Sequence, residues 1–126
     1  MFENDYILRL IHEMIRALIK LALNIDMDKQ DELILPDVFE NDEFRRIMEL
    51  VDEGKINTAE NMLYDYLDVQ QPDTFKMALV FYDHLNEMDD TALAAADFSR
   101  DEVKDGLIRA MDMFGYGEMA DTFLLL

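Results

Sequence analysis

Asp52-Glu53-Gly54-Lys55-Ile56-Asn57-Thr58-Ala59-Glu60-Asn61-Met62-Leu63 decides the fold. It carries a glycine, four residues, Ala59, two residues and then Met62-Leu63, and the spacing returns 61 residues later as Gly115, Ala120, Phe123 and Leu124. Ile47 and Leu50 precede the first glycine, and Ile108 and Met111 the second, at helical intervals. Each copy therefore reads as an amphipathic helix that stops at a glycine, turns, and restarts with a small residue allowing close backbone approach. Two such units predict an all-α chain built from antiparallel helical hairpins, with Gly54 and Gly115 as the structural turns. Stacked hairpins form a scaffold or binding architecture rather than announcing a reaction.

Working outward, helix 2 is expected over 42–53, capped by Asn41, with Phe44, Ile47, Met48 and Val51 inward. Asn57 and Glu60 have the spacing of a capping box opening the next helix, as do Ser99 and Glu102 further on. The segment 73–88 is apolar on two faces and reads as a central helix. A short helical turn is expected within 92–98, and the last helix over 118–125. Upstream, Pro36 sits in an irregular stretch read as an extended connection over 26–41.

The N-terminal segment 1–25 reads as one long amphipathic helix. Ile7, Ile11, Met14, Leu18, Leu21 and Ile25 step by fours and threes, and Leu8, Ile15 and Ala22 widen that face. The arc is wider than one neighbouring helix covers, and each large side chain left in water forgoes roughly 1.5–3 kcal/mol. These six residues are therefore expected to mediate self-association into a homodimer.

With 126 residues, 51% of them hydrophobic, the chain is expected to be a single helical domain over 1–126: helix 1–25, connection 26–41 and hairpin body 42–126. Glycine (4) and proline (2) are too scarce to punctuate a sheet. The formal charge of −18 leaves no basic patch for a phosphate backbone, so nucleic acid is excluded as a partner. Arg9, His12, Glu13, Arg16 and Lys20 interrupt the apolar N-terminus as no membrane span or signal core tolerates. A cytoplasmic location without membrane attachment is expected. Absence of cysteine removes disulfides and thiolate metal ligands.

The chemistry-bearing motifs dissolve on inspection. His12-Glu13-Met14-Ile15-Arg16 opens like a zinc-protease helix but places a cation where the second histidine belongs. Neither His12 nor His84 has a glutamate three residues before it, so the di-iron helix motif is missing. Asp26-Met27-Asp28-Lys29-Gln30 lacks the glycine and terminal glutamate of a calcium loop. Gly115-Tyr116-Gly117-Glu118-Met119-Ala120 matches a dinucleotide fingerprint in letters but follows a helix, not a strand. Ser99, the only serine, is explained as a cap. No catalytic residue, cofactor or metal site is expected.

The run Glu53 to Leu63 resembles the hairpin of tetratricopeptide repeats, with Ile56 at the turn-aromatic position, Ala59 as the small residue of the second helix and Leu63 as the next core position. Most of the chain also resembles a family of small acidic helical proteins of Gram-positive bacteria known only as a domain of unknown function. Phe2, Asp5-Tyr6-Ile7 and Arg9, with Asp52-Glu53-Gly54-Lys55-Ile56-Asn57 and Ala59-Glu60-Asn61, carry that likeness. It implies a helical, repeat-like fold and no activity. The leading expectation is a non-enzymatic protein–protein interaction or scaffold module of unknown partner. A helical small-molecule or lipid-binding protein, or an enzyme built on carboxylates, is the alternative.

Overall fold

The computed structural model describes residues 2–23 and 35–125, which are helical with no strand. The helices are α1 (Phe2–Leu18), α2 (Pro36–Phe39), α3 (Asp42–Asp52), α4 (Ile56–Tyr66), α5 (Thr74–Glu87), α6 (Asp90–Ala95), α7 (Arg100–Met113) and α8 (Gly117–Leu124). A π-helical turn, Ile19–Leu23, continues α1. Nothing in the sequence marks that widening.

Neighbouring helices α3 and α4 pack on one another, as do α7 and α8. Gly54 and Gly115 sit at the breaks with φ of +80° and +90°. In both breaks the next residue reaches back five positions: Lys55 N–H donates to the Leu50 carbonyl at 2.8 Å and Tyr116 N–H to that of Met111 at 2.7 Å. This is the paired-bond helix stop in which a left-handed residue turns the chain and satisfies the last carbonyls. A third copy, which the glycine pattern could not reveal, ends α6. Asp97 takes φ of +58°, and Phe98 N–H donates to the Leu93 carbonyl at 3.0 Å.

Caps explain the starts. Asn41 accepts from Phe44 N–H at 2.9 Å, while its Nδ2 donates to the Tyr66 hydroxyl at 2.7 Å, so one side chain opens α3 and ties it to the end of α4. Ser99 accepts from Glu102 N–H at 3.2 Å as expected. The box expected at Asn57 and Glu60 does not form. The turn after Gly54 delivers the chain into helix at Ile56, and Lys55 in the cap position makes no side-chain cap bond. Asn57 instead donates to the Asp97 carbonyl at 3.1 Å, and Glu60 turns inward. Pro36, read from sequence within an extended connection, opens the short α2, where its missing N–H costs nothing. Residues 26–34 of that expected connection lie outside the described residues.

One core runs through all of this. Helix α5 packs against α1, α4 and α7 and is buried on nearly every face, from Phe75 through Leu85. It holds the central place its two apolar faces imply. A buried arginine secures its end: Arg100, 4% exposed, donates to the Asn86 carbonyl at 2.7 Å and the Met88 carbonyl at 2.8 Å. A cation on terminal carbonyls answers both their open acceptors and the negative helix end.

A Cβ added at Gly54 or Gly115 would meet no atom within 4 Å, so alanine there costs conformation alone. Gly54→Ala and Gly115→Ala should each destabilise by about 1 kcal/mol. Asp97→Gly should stabilise by up to about 1 kcal/mol, because it relieves the same left-handed strain. Urea unfolding of the three variants checks this; equal midpoints would refute the shared turn mechanism.

Candidate functional site

The residues expected to self-associate are instead the inner face of the monomer. Ile11, Met14 and Leu18 are 0% exposed and Ile7 packs against the core. Only Leu21, at 65% exposure, faces solvent, and Ile25 lies outside the described residues. The arc is indeed too wide for one neighbour. It is met by three, α5, α7 and α8, all in the same chain. A dimer through this seam would have to pull α1 out of the core.

Deep between α4, α5 and α7 lies a polar knot. The Tyr82 hydroxyl, in a residue 0% exposed, donates to Glu60 Oε2 at 2.7 Å and contacts the Tyr64 hydroxyl at 3.2 Å. Tyr64 in turn donates to the Gly106 carbonyl at 2.7 Å, and the Arg109 guanidinium lies 3.8 Å over its ring. Burial pushes both phenols above their ordinary value, with the carboxylate beside them adding to it, so they remain protonated donors. Burial also raises Glu60, partly opposed by its bond from Tyr82 and by Arg109. Helix α7 reaches this knot only because residue 106 is glycine. A Cβ there would press on the Tyr82 hydroxyl and sit 2.6 Å from Glu60 Oε2. The knot lines neither of the cavities described next, and its protonated phenols offer no nucleophile. It is a clamp between helices.

The surface is more suggestive. A cavity of about 360 Å³ opens where the π-helical turn, the α4–α5 connection and the end of α7 converge. Its floor is aromatic: the Phe75 ring lies 4.9 Å from that of Phe114 and is stacked on Tyr116 at 5.2 Å. Val69 and Met113, 48% and 41% exposed, form its rim, and Asp73 adds a carboxylate. A groove of about 400 Å³ lies between α1 and α8, lined by Tyr6, Arg9, Leu10, Glu13 and Phe123. Phe75 falls in the segment read from sequence as a central helix, and Tyr116 directly follows the expected Gly115 turn. Their stacking across 41 residues carried no local signal.

Among the described residues, one group could hold a metal ion: His12, Asp83 and Glu87. No helix among them is long and apolar enough to cross a membrane.

Gly106→Ala adds helix propensity but overpacks the knot. A net loss of roughly 1–2 kcal/mol is expected, against a gain of up to about 1 kcal/mol were the site open. A pH series separates the role of Glu60. Its folded-state value lies above that of an ordinary glutamate, so the folded chain holds the proton more tightly than the unfolded one. The stability this lends is fully present below the ordinary glutamate value and is lost as pH rises through the folded-state value. Glu60→Gln, a permanent stand-in for the protonated acid, should therefore raise Tm more at pH 7 than at pH 4. A pH-independent difference would refute the burial argument.

No curated protein and no solved structure matches the chain. A family model matches residues 1–115, from α1 to the glycine turn that ends α7. By that match the chain belongs to DUF6483, a family of unknown function.

Proposed function

We propose that the protein is a non-enzymatic interaction module that seats an apolar side chain of a partner segment, flanked by basic residues, on the aromatic floor of Phe75, Phe114 and Tyr116. That cavity, with Val69 and Met113 exposed at its rim, is the observation that carries the reading. Exposed apolar surface grouped around a concavity marks a binding place more often than scattered single residues do. Aromatic rings that are already stacked and held lose little freedom on contact. Charge selects the flanks. A chain of net charge −18 repels acidic segments and steers basic ones, and Asp73 stands at the rim.

In this reading the α3–α4 and α7–α8 pairs are tetratricopeptide-like units working in the cytoplasm. The support is the shared glycine stop and the paired packing of each unit. Helix α1 is their internal brace rather than a dimerisation element. A small-molecule site would need polar groups converging on the cavity, and Asp73 and the Tyr116 hydroxyl are a thin supply.

A helical Leu/Lys model peptide titrated into isotope-labelled protein tests the proposal. Shifts should concentrate on Val69, Phe75, Met113 and Tyr116, weaken with salt, and be lost in Met113→Glu, whose exposed position leaves the fold intact. An acidic Leu/Glu peptide should not bind. Shifts centred elsewhere, or binding indifferent to Met113→Glu, would overturn it.

A further inference from the structure

We propose that His12, Asp83 and Glu87 form a binding site for a first-row divalent cation, with zinc the best fit. Asp83 and Glu87 lie one turn apart on α5 and so share a face. His12 comes from α1, which packs on α5. One ligand-type atom from each residue lies within 4.8 Å of the others. A cation at the centre of such a triangle sits within about 2.8 Å of every ligand atom. Bonds of about 2.0–2.2 Å then require only a small inward movement of the side chains. One imidazole and two carboxylates suit zinc or manganese better than magnesium or calcium, which favour all-oxygen sets. Three protein ligands leave a position for water or a bound molecule.

The two helices are held in register at this point. Between the two carboxylates on α5, buried Asn86 donates from Nδ2 to the Leu8 carbonyl at 3.0 Å, one turn before His12. Arg100 fixes Asn86 in turn, bonding its carbonyl at 2.7 Å. The ligands therefore project from a braced junction, as a metal site requires. Asp83 is only 4% exposed, so a cation held there would be shielded from solvent on the α5 side.

Arg16 is the competitor. Its guanidinium, which can only donate, lies 3.3 Å from His12 Nε2. A metal arriving at either nitrogen must displace Arg16 or force it from its partner. Removing this arginine should tighten binding, an effect a purely structural ion cluster would not show.

Isothermal titration of the full chain with zinc chloride and manganese chloride, with magnesium chloride as control, tests the site. The expected result is one saturable zinc ion per chain. Affinity should fall by about tenfold or more in His12→Gln and Glu87→Gln and rise in Arg16→Gln, with far-UV dichroism unchanged. Cobalt(II) should give a visible absorption spectrum that zinc abolishes. His12 and Glu87 are the more accessible ligands, so their variants stay informative even where Asp83→Asn fails to fold. No saturable binding up to roughly 1 mM zinc would overturn the proposal. So would binding unmoved by His12→Gln, which would mark diffuse association with the acidic surface.

Discussion

The hydroxyl of Tyr82 sits where no water reaches it, and a buried hydroxyl without a partner costs about 1–3 kcal/mol. Meeting that demand fixes three helices relative to one another. Helix α4 must offer Glu60 and Tyr64, α5 must carry the ring, and α7 must come close enough for the Gly106 carbonyl to receive from Tyr64. The last condition excludes a side chain at position 106. A glycine that weakens α7 as an isolated helix is thus what lets it pack as a tertiary element, a local loss exchanged for a long-range fit.

From this junction the rest follows in order of burial. With α4 and α7 clamped to α5, the remaining apolar flank of α5 and α7 is closed by α1. The seam of Ile11, Met14 and Leu18 is at zero exposure because three helices share it. The end of α7 is then carried toward the start of α5. There Phe75 packs on Phe114 and stacks on Tyr116, and the three rings line one cavity. Helix α5 carries both Tyr82 of the polar knot and Phe75 of the aromatic floor, and Phe114 follows directly on α7. Rigidity in the knot is what keeps the floor formed before anything binds.

Helix positions, their caps at Asn41 and Ser99, and the glycine breaks were legible, since each rests on contacts within a few residues along the chain. What escaped was every pairing across the sequence. Asn57 and Glu60 have the spacing of a capping box, yet both are spent on partners 40 and 22 residues away. Periodicity showed that α1 needed more than one neighbour and could not say whether they came from a second copy or from α5, α7 and α8. The Asp83–Glu87 spacing was visible as two carboxylates on one face, among many such pairs in a chain with 29 acidic residues. Only the packing of α1 supplies His12.

Cations in so acidic a protein are scarce, and their placement is informative. Arg100 is 4% exposed, clasping the end of α5 and, through Asp90 at 2.9 Å, the start of α6. Arg109 covers the ring of Tyr64, and Arg16 stands at His12. Of these only Arg100 is buried, and with 29 acidic against 11 basic residues the exterior keeps a net negative field. That field disfavours compaction by self-repulsion and draws basic or cationic species toward the molecule. The same distribution of charge favours basic or cationic species at both the proposed aromatic site and the proposed His12–Asp83–Glu87 site.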